Sequence, residues 1–180
     1  MIAPAEDVLT FWRNAGPDKW FEKDPAFDQD IWVRFLETYQ AAVTGQLAHW
    51  ERSREGALAL AIVLDQFPRN MFRGDPRTYA ADHLARAVVE RAIARGFDQQ
   101  TPLTERQFFY LPFEHSETMA DQERGCALFR AARDADQLKW AELHADIIRR
   151  FGRFPHRNAV LGRATTPEEQ AFLDNGGFKG

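Results

Sequence analysis

Residues 24–45, DPAFDQDIWVRFLETYQAAVTG, spell out one complete helix. Asp24 has the short acceptor side chain that an N-cap needs, and Pro25 at the first helical position lacks only an N–H that would have no partner there. Behind them Phe27, Ile31, Phe35 and Tyr39 recur every fourth residue and line one helical face. Gly45 supplies the left-handed residue on which helices stop. A face this bulky has to be buried against other elements.

The same punctuation recurs along the chain. Asp75-Pro76 starts a helix that Gly96 stops, with Leu84, Val88 and Ala92 marking its face. Thr166-Pro167-Glu168-Glu169 is a third Pro start, and Glu169 stands where a capping box requires it. In residues 136–151 one stripe holds Leu138, Ala141, Ala145 and Ile148, and a second holds Trp140, His144, Ile147 and Phe151. So wide an apolar arc implies a helix wedged between neighbours. Alternating strand patterns are absent. The spacing predicts helices near residues 4–14, 25–44, 54–66, 68–72, 77–95, 105–117, 119–133 and 136–151, with short pieces near 156–161 and 167–174. Residues 174–180, DNGGFKG, read as a tail. The expected fold is all-α: a TPR-like array of about eight antiparallel helices in one domain, residues 1–180. The lettered TPR repeat of about 34 residues is not evident, so the likeness is one of shape.

Composition agrees with an ordinary globular chain. The 180 residues include 15 Phe and 5 Trp, which calls for a bulky core. The single cysteine, Cys126, has no partner for an internal disulfide, which fits a reducing compartment. The start, MIAPAEDVLTFW, has neither the basic nor the apolar region of a signal peptide. The longest apolar run, ALALAIVL at residues 57–64, is far short of the roughly 20 residues that span a bilayer. A cytoplasmic protein with no membrane segment is expected. The net charge of −4 argues against general nucleic-acid binding.

One phrase occurs twice: QFPRNMFRG at residues 66–74 and RFPHRNAVLGR at 153–163. Each Pro is expected to open a new helical turn. That puts Arg69, Asn70, His156, Arg157 and Asn158 in first turns, the end of a helix that prefers anions. Residues 147–167 contain no Asp or Glu but include Arg149, Arg150, Arg153, Arg157 and Arg163. Each phrase is therefore expected to face negative charge. Its source is either the chain itself, with Asp65 four residues before Arg69 and Glu114 and Glu117 in PFEHSE, or an anionic ligand.

Histidine offers less. His144 lies on an apolar face and reads as a core residue; His49 and His83 have no obvious partners. His115, Glu117 and His156 match no established metal spacing, so no metal or cofactor is expected. His115 or His156, with Glu117, are candidates for acid–base work beside an anion held by arginine. Cys126 in GCALF reads as a buried, inert thiol.

LDQFPRNMFRG, YLPFEHSE and RFPHRNAVLGR, followed by TPEEQAFLDNGGF, resemble a bacterial family known as domain-of-unknown-function family 924. The resemblance covers essentially the whole chain. It implies an all-helical, TPR-like fold and no activity. It carries over signature positions: Asp65, Gln66, Phe67, Pro68, Arg69, Asn70 and Arg73; Pro112, His115, Ser116 and Glu117; Phe154, Pro155, His156, Arg157, Asn158, Leu161, Gly162 and Arg163.

The leading expectation is a binding module in which the three phrases form one groove. Arg69, Asn70, Arg73, His115, Glu117, Arg153, His156, Arg157, Asn158 and Arg163 would hold an anionic small molecule or a peptide carboxylate. Two alternatives stay open: an enzyme on phosphorylated or carboxylated small molecules, and a scaffold that docks a protein partner on an apolar helix face. RNA binding through residues 149–163 comes last. The sequence is silent on oligomeric state.

Overall fold

The computed structural model describes residues 1–179. Among them every regular element is helical. The α-helices are α1 Ala5–Ala15, α2 Pro17–Trp20, α3 Pro25–Val43, α4 Arg54–Met71, α5 Asp82–Ala94, α6 Leu103–Arg106, α7 Leu111–Glu114, α8 Met119–Ala132, α9 Ala135–Phe151 and α10 Pro167–Asp174. Short 3-10 turns join several of them. No helix among the described residues is long and apolar enough to cross a membrane. The chain divides into two compact units, Met1–Arg73 with Arg77–Pro112, and Gly74–Pro76 with Phe113–Gly180.

The first unit is built around α4. Its apolar run is buried on every side, and α1, α3 and α5 pack around it. α3 begins as its sequence dictates, with Asp24 Oδ1 accepting from the backbone N–H groups of Ala26 and Phe27 at 2.9 and 3.2 Å. Phe27, Ile31, Phe35 and Tyr39 are all buried. Trp12 stacks on Trp20 at 6.0 Å and meets Phe67 and Phe108 edge-on or tilted. Where α4 starts, a Cβ on Gly56 would lie 2.1 Å from the carbonyl oxygen of Trp50, so only glycine allows this approach.

Pro68 does not open a helix. It lies inside α4, which runs on to Met71. An interior proline forfeits a hydrogen bond and crowds the preceding turn, at a cost of about 3 kcal/mol. Here Phe67, Asn70 and Met71 are buried in the same turn, and that burial outweighs the local preference. Arg69 therefore sits in the last turn of α4, the end that favours a cation, not in a first turn. The helix expected over 105–117 is likewise broken into α6, a 3-10 turn at Gln107–Phe109 and α7, with Pro112 in the first turn of α7.

The second unit is a hairpin of α8 and α9, joined through Arg133, a non-glycine residue at φ 58, and Asp134, which caps α9. Ile147, Ile148 and Phe154 form its core, with Met119, Phe151, Phe172 and Phe178 packed against them. α9 is less enclosed than its stripes suggested. Trp140 is 52% exposed and Leu143 39%, and Leu143 lines an open cavity. After Gly152 stops α9, a 3-10 turn at Pro155–Arg157 begins at Pro155 as expected. α10 follows, opened by the capping box of Thr166 and Glu169.

Candidate functional site

In the first unit the arginines of QFPRNMFRG meet carboxylates of the chain. Arg69 forks Asp82 at 2.9 and 3.0 Å, donates to the carbonyl of Asp65 at 2.6 Å and lies 3.3 Å from its carboxylate. Burial alone would lower the Arg69 pKa, but Asp82 and Asp65 more than offset it and the pKa is raised. Asn70 and Arg73 both donate to Asp28 on α3: Asn70 at 2.8 Å, Arg73 at 2.6 and 3.0 Å. These contacts tie the end of α4 to α3 and to the start of α5. Asp65 was legible as a partner at helical spacing; Asp28 and Asp82 were not.

The other seven candidates come together in the second unit. The turn at Pro155–Arg157 brings Arg157 under the Phe154 ring at 4.5 Å from its centroid, and its Nη2 donates to the carbonyl of His115 at 2.9 Å. Glu117 accepts the Arg163 fork at 2.6 and 3.0 Å and the Phe154 N–H at 2.8 Å. Arg163 Nε donates to Asn158 Oδ1 at 3.0 Å. Asn158, fully buried, donates to Glu169 at 3.1 Å. Glu169 also accepts from Arg153 at 2.6 and 2.8 Å and from the Thr166 N–H at 2.8 Å. The acid-free stretch at 147–167 thus draws its acids from the loop after α7 and from α10.

Titration here has a consistent direction. Burial, then Arg157, and also His144 and Arg163, push His156 down to about 3 against the pull of Glu117. It is therefore neutral at neutral pH, a poor general acid there. Glu117 is lowered although burial works to raise it, because Arg163, the Phe154 N–H and Arg157 outweigh that burial. Hydrogen bonds from Arg153 chiefly hold Glu169 down at about 2. Burial raises the Cys126 thiol.

His144 is buried as expected, but it is more than packing. Its Nδ1 lies 2.8 Å from Glu114 Oε1 and 2.8 Å from the Trp140 carbonyl. Its ring, with that of His156, meets the rings of Phe154 and Phe178. The only advance signal was an apolar stripe containing one imidazole, and Phe178 lay in what read as a tail. Among the described residues no group of three His, Cys, Asp or Glu side chains is placed to hold a metal ion.

No curated protein sequence matches the chain. A solved structure of a protein of unknown function from Agrobacterium tumefaciens is 50% identical, covers 96% of this chain and 97% of its own, and superposes with a TM-score of 0.93. The family model described as "Bacterial protein of unknown function (DUF924)" matches residues 8–177, and the chain belongs to that family.

Proposed function

We propose that the protein is a binding module that holds a small anion, a carboxylate or phosphate, where Arg157, Arg163 and His156 meet in the second unit. The observation behind this reading is the electrostatic bias of that corner. His156 does not hold a proton, and Glu117 and Glu169 both titrate low. Burial first and then guanidinium charge lower His156, and guanidinium groups lower both carboxylates, which is the setting that favours a further negative charge. Glu117 and Asn158 fix the plane of the Arg163 guanidinium, and the carbonyl of His115 steadies that of Arg157, so little side-chain freedom is left to lose on binding. The reading also takes the helical hairpins as TPR-like stacking and the cytoplasm as the place of action, which the lone, buried Cys126 supports.

The test is a thermal-shift screen against phosphate, citrate and other anionic metabolites, run beside Arg157→Ala. A ligand at 100 times its Kd adds about 2.7 kcal/mol. In a chain of this size that raises Tm by roughly 5–10 °C. The shift should vanish in Arg157→Ala. A wild-type protein that no anion shifts, or a shift that survives the substitution, overturns the reading.

A second reading, a scaffold for a protein partner, is favoured by Trp140 and Leu143, which stand exposed on α9. It requires that Trp140→Ala abolish partner capture and that Arg157→Ala leave capture intact.

A further inference from the structure

The second unit buries polar groups that ion pairing does not explain. Both neighbours of His144 Nδ1, the Glu114 carboxylate and the Trp140 carbonyl, are acceptors. Nδ1 must therefore carry a proton, and in the neutral ring Nε2 is left with its lone pair. No hydrogen bond to Nε2 is present among the described residues. Close by, Glu114 Oε2 and His156 Nδ1 are buried without a hydrogen-bond partner. A carboxylate that fixes one imidazole nitrogen and frees the other is the arrangement by which proteins prepare histidine for proton transfer.

Aromatic rings pack against both imidazoles. Phe154 lies 5.5 Å from the His144 ring centroid and 5.6 Å from that of His156. Phe178 lies 4.5 and 5.3 Å from the same two rings, edge-on to both. Phe154 is anchored by its backbone, since its N–H goes to Glu117 and its carbonyl accepts from Arg163. Phe178 has no such anchor. The last backbone hydrogen bond before it is Gly177 N–H to the Phe172 carbonyl at 2.9 Å, and the chain reaches it through Gly176, at φ 83, and Gly177. Packing holds it, against the two imidazoles and the Ile147–Ile148–Phe154 core. Phe178 also lines a cavity of about 550 Å³, together with Leu143, Ile147, Arg150, Phe151 and Phe172. That volume suits a small molecule.

We infer that residues 176–178 form a retractable strap, with Phe178 closing a proton-transfer site made by the Glu114–His144 pair opposite His156. When the strap lifts, the cavity opens onto His144 Nε2. The ligand class is a small molecule with an apolar body that fills the cavity and a hydroxyl or other exchangeable proton presented to Nε2. The inference does not depend on the anion reading: a failed anion screen leaves it standing.

Diethyl pyrocarbonate, which carbethoxylates unprotonated imidazole nitrogens, tests the strap at neutral pH, with peptide mass mapping as readout. His49 and His83, both exposed, serve as internal references. In the wild type His144 and His156 should react far more slowly than the references, yet measurably, through local opening. Phe178→Ala should speed both by about 10-fold or more, with Tm and the reference rates little changed, as expected when a local opening equilibrium shifts. Phe178→Leu, which keeps the core filled, should fall between. Protection unchanged in Phe178→Ala, or lost only together with global folding in both variants, overturns the strap. Long-range nitrogen NMR on the wild type checks the pair independently: the neutral His144 ring should carry its proton on Nδ1, and an Nε2–H tautomer overturns the proton-transfer site.

Discussion

Replacing Glu117 by alanine removes three hydrogen bonds from one carboxylate, and the cost can be worked out contact by contact. The Phe154 N–H is buried with its residue and would lose its acceptor, which costs about 1–3 kcal/mol. The fork to Arg163 is intermediate, with side chains 22% and 26% exposed. An exposed pair contributes about 0–1 kcal/mol, and breaking a fully buried one costs about 3–5 kcal/mol, so this pair falls near 1–2 kcal/mol. The sum is about 3 kcal/mol, which for a chain of this length lowers Tm by roughly 6–12 °C. Urea titration followed by tryptophan fluorescence, with calorimetry alongside, measures it. Glu117→Gln keeps one acceptor oxygen and should lose about half as much. Glu168→Ala is the control: its pair with Arg150 is more than half exposed on both sides, and its loss should stay within about 0.5 kcal/mol. A Glu117→Ala protein within about 1 kcal/mol of wild type would refute the reasoning, since the network would then be geometry without energy.

Acid should unfold the protein in two stages. His156, with an unfolded value of 6.5 and a folded value of about 3, contributes fully above 6.5 and loses that contribution as pH falls between the two; His156→Gln should flatten the urea midpoint over the upper part of that window. Glu169, held at about 2, and Glu117, also lowered, contribute above the ordinary carboxylate range and lose it on further acidification; Glu117→Gln with Glu169→Gln should flatten this second stage. Arg69→Ala strips the guanidinium from buried Asp82 and Asp65 and should cost about 3–5 kcal/mol by urea titration, with Arg69→Lys recovering little because an ammonium cannot make the fork. Gly56→Ala should be severely destabilising, since its Cβ would meet the Trp50 carbonyl, whereas Gly125→Ala meets Phe113 Cβ only at 3.4 Å and should be neutral or up to about 1 kcal/mol stabilising in the same assay.

Local signals carried the reading of the helices. The Asp24-Pro25 start, the Thr166–Glu169 capping box and the Gly45 and Gly96 stops all act within a few residues, and the structure has each of them. Pro68 was misread because its local preference is outweighed by burial that only the folded chain supplies. That one shift reversed the meaning of Arg69, from a cation at an unfavourable helix end to one at a favourable end. Asp65 was legible as the partner of Arg69 at helical spacing, and Glu117 as an acid that the second phrase could draw on. Arg163 and Glu117 lie 46 residues apart, so the sequence offered the acid without saying which arginine takes it. The Glu114–His144 pair was hidden for the same reason, and Phe178 because two glycines before it read as the end of order.

The lacing of residues 153–169 bears on how a protease would meet this protein. Arg153, Arg157 and Arg163 are tryptic sites in a segment with only one short turn between α9 and α10, and by secondary structure alone it looks like a substrate loop. Yet the Arg153 and Arg163 forks are taken up by Glu169 and Glu117, and the Arg157 guanidinium is buried beneath a ring. Trypsin needs an extended chain with the arginine free to enter its specificity pocket, so cleavage here must wait for the network to open. The rate of nicking after Arg163 is then a direct readout of that opening. Any ligand that tightens this corner should register as slower digestion before its identity is known.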